Sequence, residues 1–141
     1  MSSEENKSLV RRFYAEIDDL NIAVIDELVA PDFVNHCPPP FPVAPGRDGL
    51  KEAFEIFAAA TPGRHEILDQ VAEGDKVVTR LRAYGTHEGD LPGIAPTGNS
   101  LEMTATVVHR IENGQLVEKW SDRDEAALLQ QLGVISLPPR D

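Results

Sequence analysis

The chain has 141 residues, which fits one domain with an ordinary core, and 41% of its residues are hydrophobic. Its formal net charge is -11, from 24 acidic and 13 basic residues, so we expect it to bind neither nucleic acid nor an anionic membrane. The single cysteine, Cys37, excludes an internal disulfide. Since the sequence also lacks an apolar segment typical of a signal peptide or a membrane span, we expect a cytoplasmic protein.

The first 60 residues predict three helices, because their apolar residues recur at helical spacing. These helices are expected from Glu4 to Leu20, Ile22 to Val29 and Arg47 to Ala60. Asn21 is the predicted cap of the second helix, and Pro31 prevents that helix from continuing. Between the second and third helices, Asp32 to His36 is a candidate short strand, followed by a stiff loop rich in proline.

The next segment predicts four antiparallel strands. They are expected at His65 to Glu73, Lys76 to Glu88, Leu101 to Glu112 and Gln115 to Ser121. Asn113-Gly114 is a strong hairpin signal between the last two strands. A final helix is expected from Asp124 to Leu132, ending at Gly133.

These elements predict a single α+β domain over residues 1–141. A strongly curved antiparallel sheet wrapped around the three N-terminal helices would bury all their apolar faces, with a short C-terminal helix at the end. Such a sheet leaves an apolar pocket on its concave side. Gly85 and Gly89 are candidate positions for the bend.

The sequence has no motif for a phosphate, a dinucleotide or a catalytic zinc ion. His36 and Cys37 are adjacent, but two further ligands at suitable spacing are missing. We therefore expect neither a metal nor a cofactor.

Alternation along the third and fourth predicted strands indicates the pocket residues. It places Met103 on one face with His109, and Trp120 on one face with Glu118. With the apolar residues pointing inward, His109 would meet the end of the fourth strand across the pocket. The residues expected to contact substrate are Trp120, Met103, Phe54, His36 and His87, although His36 also suits the pocket rim and His87 a hydrogen-bonded turn.

Two aspartates precede the last helix. Asp122, with Glu125 three residues later, predicts a capping box, so Asp122 is the expected helix cap. Asp124 is either a first-turn acid favoured by the helix dipole or a catalytic acid/base. The residues leave both roles of Asp124 open.

Several segments, in this order, resemble the SnoaL-like polyketide cyclase family of the nuclear-transport-factor-2-like superfold. They are LVRRFYAEI, NIAVIDELVAPDFVNHCPP, EGDKVVTRLRAYGTHEG, GIAPTGN and RIENGQLVEKWSDRDEAALLQQLG. The resemblance implies a cone-shaped α+β barrel formed by the curved antiparallel sheet around the helices, with a deep apolar cavity, and a dimer or tetramer. It also implies an acidic residue that catalyses an intramolecular aldol closure without metal or cofactor. The position matching that residue is Asp124, and a strand histidine of those enzymes matches His109.

The expected function is that of a polyketide cyclase or related isomerase acting on a small hydrophobic carbonyl compound. Asp124 would remove an α-proton, which requires burial to raise its pKa, and His109 would hydrogen-bond the enolate or donate a proton. The alternatives are a non-catalytic protein that binds a small apolar ligand, and an epoxide hydrolase of the limonene type, for which Arg80 and Asp124 supply part of an Asp-Arg-Asp set.

The outer sheet face predicts a homodimer, because it carries Val78, Thr104, Thr106 and Val108, which are β-branched and uncharged.

Overall fold

The computed structural model of the chain describes residues 2–139. Its α-helices are α1 (Ser3–Asp18), α2 (Ile25–Leu28), α3 (Gly46–Ala60) and α4 (Glu125–Gln131), and a 3₁₀ turn spans Ile22–Val24. Its strands are β1 (Val29–Asn35), β2 (Gly63–Glu73), β3 (Lys76–Thr86), β4 (Ser100–Glu112) and β5 (Gln115–Arg123). No helix among these residues is both long and apolar enough to cross a bilayer.

The five strands form one mixed sheet in the order β1-β5-β4-β3-β2. Strands β2 to β5 form the antiparallel meander that the sequence predicted. The expectation of a purely antiparallel sheet was wrong at one edge, because β1 pairs parallel to β5. A parallel pair needs a long crossover, and α3 with the first three strands of the meander supplies it.

The second helix ends earlier than predicted. Val29 has extended backbone angles and begins β1, so helical structure stops at Leu28. Asn21 occupies the predicted N-cap position, before the 3₁₀ turn that begins at Ile22, but its side chain makes no capping hydrogen bond there.

The core lies between α1 and the concave face of the sheet. Val10, Phe13 and Ile17 on one face of α1 pack in the same apolar cluster as Val77 and Val107 of the sheet. The predicted α+β fold, with a curved sheet around the N-terminal helices, is confirmed. The sheet remains open, with β1 and β2 at its two edges.

Gly85 allows a close approach of the backbone at the open end of the sheet. A Cβ atom on Gly85 would lie 2.5 Å from the Pro62 carbonyl oxygen, and one on the paired Gly63 would lie 1.8 Å from the Tyr84 carbonyl oxygen. Only residues without a Cβ fit this pair, so α3 can lead directly into β2 beside the pocket.

Candidate functional site

One cavity of about 400 Å³ lies between the helices and the concave face of the sheet. Its volume is in the range of small-molecule sites. Phe54 of α3 and Met103 of β4 line it, as the sequence predicted. The other apolar lining residues include Ile17, Phe57, Leu81, Ala83, Leu91, Leu101, Ala105, Val107 and Leu128.

A β-bulge in β5 changes which residues of this strand face the cavity. Ile111 pairs with Leu116 but Arg110 pairs with Glu118, so Val117 is an extra residue in β5. Since a one-residue insertion reverses the alternation, the residues after Val117 that point inward are odd-numbered. Lys119, Ser121 and Arg123 line the cavity, and the predicted inward face carrying Glu118 and Trp120 was wrong.

Trp120 and His36 lie together on the outer face of the sheet. Their rings stack with centroids 4.7 Å apart and planes 8° apart. His36 Nε2 is 2.8 Å from Glu118 Oε2, and Glu118 also accepts a hydrogen bond from Arg110. Neither Trp120 nor His36 lines the cavity, so the structure does not bring them together with Phe54 and Met103.

Asp124, rather than Asp122, is the cap of α4. Asp124 Oδ1 accepts a hydrogen bond from the backbone N–H of Ala127 at 3.2 Å, whereas Asp122 is an exposed residue of β5. Asp124 is also exposed and does not line the cavity. β5 extends to Arg123, two residues further than predicted, which moves the helix start past Asp122.

His109 lies in the core behind the cavity wall. Its ring is buried against Phe13 and Tyr14, and its Nδ1 atom has no hydrogen-bond partner among residues 2–139. Burial, with a smaller effect of the Lys119 charge, lowers the pKa of His109 to about 3. His109 is therefore a neutral imidazole near neutral pH. The predicted catalytic roles of Asp124 and His109 stay predictions.

His87 and Arg80 also lie away from the cavity lining. His87 is fully buried, and its Nδ1 accepts a hydrogen bond from the backbone N–H of Thr97, which holds the loop between β3 and β4. Arg80 makes a bidentate pair with Asp69 at 2.8 and 2.9 Å on the outer face. The Asp-Arg-Asp set of an epoxide hydrolase is therefore not assembled from Arg80 and Asp124.

A histidine–aspartate pair that the sequence analysis missed lies in the cavity. Asp18 Oδ1 is 2.7 Å from His65 Nδ1, and Asp18 Oδ2 accepts the backbone N–H of His65 at 2.8 Å. A carboxylate only accepts hydrogen bonds, so in the neutral imidazole the proton lies on Nδ1 and Nε2 carries the free lone pair. Both residues line the cavity, with the Asp18 side chain 6% exposed and the His65 side chain 22% exposed.

The position of Asp18 is not explained by its helix. It is the last residue of α1, where the helix dipole disfavours a carboxylate and no basic residue occupies the last turn. Its two hydrogen bonds to His65 give the carboxylate its partners. Tyr14, one turn earlier, packs its ring 4.9 Å from the His65 ring. Burial and the charge of Asp18 raise the pKa of Tyr14, so its hydroxyl stays protonated.

Lys119 and Ser121 form the polar part of the β5 wall. Lys119 Nζ lies 5.9 Å from the centroid of the Phe54 ring, and the centroid of the His65 ring lies 6.5 Å from it. Burial, followed by the charge of Arg123, lowers the pKa of Lys119 to about 8. Ser121 Oγ is buried and has no hydrogen-bond partner among residues 2–139. No three His, Cys, Asp or Glu side chains in this range converge as metal ligands do.

The missed residues had only weak signals in the sequence. Asp18 and His65 are 47 positions apart, and nothing local links a helix end to the start of a strand. The one available signal was an acid at the dipole-disfavoured end of an amphipathic helix. Lys119 was missed because the alternation that put Glu118 and Trp120 inward is reversed by the bulge at Val117.

Solved structures of similar fold come from several bacteria. IdmH of Streptomyces antibioticus, described as a candidate polyketide cyclase, is 33% identical over 92% of this chain and 99% of its own, with a TM-score of 0.78. A candidate polyketide cyclase of Bacillus cereus is 30% identical over 96% and 87% of the two chains, with a TM-score of 0.80. TsrD of Streptomyces laurentii is 25% identical over 96% and 99%, with a TM-score of 0.84.

No curated protein matches the sequence significantly. The profile of the SnoaL-like polyketide cyclases matches residues 8–132, which include both sides of the cavity and every strand. The chain therefore belongs to the SnoaL-like polyketide cyclase family.

Proposed function

We propose that the protein is a cyclase or related isomerase that uses cofactor-free acid–base chemistry on a hydrophobic carbonyl compound. The observation that carries this proposal is the Asp18–His65 pair inside an apolar cavity. Imidazole is the side chain whose ordinary titration range spans neutrality, and a carboxylate on Nδ1 fixes its ring and its tautomer. His65 Nε2 is then the base that removes a proton next to the substrate carbonyl.

The β5 wall supplies what the resulting enolate needs. Lys119 places a positive charge and Ser121 an unused hydroxyl in the same cavity as His65. Charge and hydrogen-bond donors that are fixed in advance in an apolar site stabilise a developing oxyanion better than water does. The apolar lining favours a substrate with an extended hydrocarbon or aromatic skeleton, such as a polyketide chain.

We also infer a homodimer through the outer face of the sheet. Val71 pairs with Val78, Val78 with Val108, and Val108 with Trp120. These cross-strand neighbours form an apolar row that Trp120 extends by stacking on His36. Contiguous apolar surface of this kind is typical of protein interfaces.

The test of the acid–base proposal is the exchange of α-protons, which needs no knowledge of the natural substrate. The protein should catalyse deuterium uptake into the methyl group of 2-acetonaphthone in D₂O, measured by proton NMR. His65→Asn should reduce the enzyme-catalysed rate by about a hundredfold or more, as expected for loss of a general base. Asp18→Asn should also reduce it, because an amide can donate to Nδ1 and so favours the wrong tautomer.

The control is urea unfolding: both variants should retain the unfolding midpoint of the parent within a few tenths of a molar, so that a lower exchange rate reflects the lost side chain and not an unfolded protein. If a folded His65→Asn variant exchanges deuterium as fast as the parent, the assignment of the base is wrong. If the parent shows no exchange above buffer although it binds the ketone, the non-catalytic ligand-binding function is supported instead.

A further inference from the structure

Lys119 differs from the other two cationic side chains on the wall of the cavity. Arg123 is paired with Glu125 at 2.8 Å, and Arg64 has Asp19 at 4.0 Å. Lys119 lines the same cavity, yet among residues 2–139 no carboxylate lies within ion-pairing distance of its Nζ. The nearby charge of Arg123 disfavours its ammonium form.

We propose that Lys119 is a covalent catalyst whose amine condenses with the carbonyl carbon of a ketone or aldehyde bound in the cavity and forms an iminium. The proposal deepens the proposed function and rests on it in one respect, that the cavity binds a carbonyl compound. It changes the role of Lys119 from a fixed positive charge to an amine that forms a bond with the substrate.

The step balances without any external reagent. The Lys119 ammonium first gives one proton to solvent, and the neutral amine attacks the carbonyl carbon to form an N–C bond. The attacking nitrogen then passes one of its protons to the carbonyl oxygen, which becomes a hydroxyl group. One further proton, equal to the one first released, protonates this hydroxyl, which leaves as water. The net reaction is ammonium plus carbonyl giving protonated iminium plus water, and the reverse reaction frees the lysine.

The surroundings of Lys119 are those that make a lysine nucleophilic. An amine reacts only when it is deprotonated, and a desolvated lysine beside another cation loses its proton more easily. With the pKa lowered to about 8, about a tenth of Lys119 is neutral amine at pH 7, far more than of a lysine with an ordinary pKa. The Phe54 ring under Nζ offers the ammonium only a weak partner.

Ser121 is placed to assist this step. It lies two residues after Lys119 on the same face of β5, and both side chains line the cavity. Its buried hydroxyl lacks a partner within the described residues. A buried hydroxyl without a partner is costly, and an oxygen of the bound carbonyl or of the carbinolamine would satisfy it.

His65 is placed for the step that follows. Its ring and the Lys119 Nζ lie within 6.5 Å of the centroid of the same Phe54 side chain. An iminium withdraws electrons more strongly than a carbonyl, so it acidifies the neighbouring C–H bonds. Removal of that proton by His65 gives an enamine, which is the carbon nucleophile needed for ring closure.

The experiment uses a 1,3-diketone, because its condensation with an amine ends in a stable enaminone and needs no reductant. The protein is incubated with 1-phenylbutane-1,3-dione, and intact and peptide mass spectra are recorded. We expect one adduct per chain, with the mass of the diketone minus water, on Lys119. Lys7, Lys51 and Lys76 of the same chain are internal controls and should remain largely unmodified.

Two substitutions of Lys119 separate the amine from the charge. Lys119→Met removes both, and Lys119→Arg keeps the charge but removes the condensing amine, so neither should form the adduct. The rate of adduct formation in the parent should rise with pH and level off near pH 8 to 9, whereas an ordinary lysine would still be gaining reactivity at pH 10.

The His65→Asn variant distinguishes this proposal from the proposed function. It should form the Lys119 adduct within about threefold of the parent rate, since N–C bond formation needs only the amine, although it loses α-proton exchange. Absence of an adduct in the parent with both this diketone and the smaller pentane-2,4-dione overturns the proposal. Equal labelling of all four lysines also overturns it, as does a Lys119→Arg variant that exchanges α-protons at the parent rate.

Discussion

His109 shows, at the scale of one residue, which part of a side chain's position strand alternation can predict. Alternation along β4 correctly placed Met103 and His109 on the inner face. The pattern gave the direction of each side chain but not its depth. Met103 reaches the cavity, whereas His109 is covered by Phe13 and Tyr14 of α1. Depth depends on where the helix crosses the sheet, which alternation within one strand does not encode.

The burial of His109 predicts an acid-labile fold. Its folded pKa of about 3 lies below the ordinary value of about 6.5, so the unfolded chain binds a proton that the folded chain excludes. The contribution of this residue to stability is complete above pH 6.5 and is lost as the pH falls toward 3. Between pH 7 and pH 5 the parent should lose about 2 kcal/mol through this group alone.

The measurement is urea unfolding of the parent and His109→Gln at both pH values. Glutamine does not titrate, so the variant should lose about 2 kcal/mol less than the parent over this interval, whatever its stability at pH 7. An identical loss in both proteins would mean that His109 takes up a proton in the folded chain as readily as in the unfolded chain, so that its pKa is not lowered by folding.

At the scale of elements, the sequence predicted the features that depend on neighbouring residues alone, such as the turn between β4 and β5. Asn113 and Gly114 both have positive φ angles, as the two-residue hairpin between β4 and β5 requires, and their signal was correctly identified. The bulge at Val117 and the parallel pairing of β1 were missed, because both depend on the register between distant segments. The missed bulge is also why Trp120 was assigned to the wrong face.

The start of α4 gives a test of the observed cap. Asp124→Ala should lower the free energy of unfolding by about 1 kcal/mol, because the N–H of Ala127 loses its acceptor. Asp124→Asn should cost only a few tenths, since asparagine also caps helices. Asp122→Ala is the matched control two residues earlier, and urea unfolding should show a smaller change for it. A larger loss in the free energy of unfolding for Asp122→Ala would show that Asp122, the residue predicted from the sequence, caps α4.

At the scale of the whole molecule, the curved sheet separates two faces with different roles. The concave face and the helices enclose the cavity, and the outer face carries the apolar row between ion pairs such as Asp69–Arg80. The order of the predicted helices and strands implied this division and the apolar pocket. It did not predict the Asp18–His65 pair, because residues 47 positions apart meet only when α1 lies across the start of β2.

The outer face predicts the assembly. Val78→Lys puts a charge in the middle of the apolar row, so it should shift a dimer toward monomer at micromolar concentration in light scattering after size exclusion. Val134→Lys is the control, because Val134 is an exposed apolar residue beyond α4 and outside this row. A parent that is already a monomer under these conditions, or a Val78→Lys variant that stays dimeric, would contradict the proposed interface.

The central claim is that the base acts from the Asp18–His65 pair and not from the helix cap. Its most direct test measures deuterium uptake into 2-acetonaphthone side by side for His65→Asn and Asp124→Asn. His65→Asn replaces an imidazole and Asp124→Asn a carboxylate by the same neutral amide, and Asp124→Asn preserves the cap. We expect at least a hundredfold loss for His65→Asn and a rate within twofold of the parent for Asp124→Asn. The reverse result, with Asp124→Asn inactive and His65→Asn active, would contradict it.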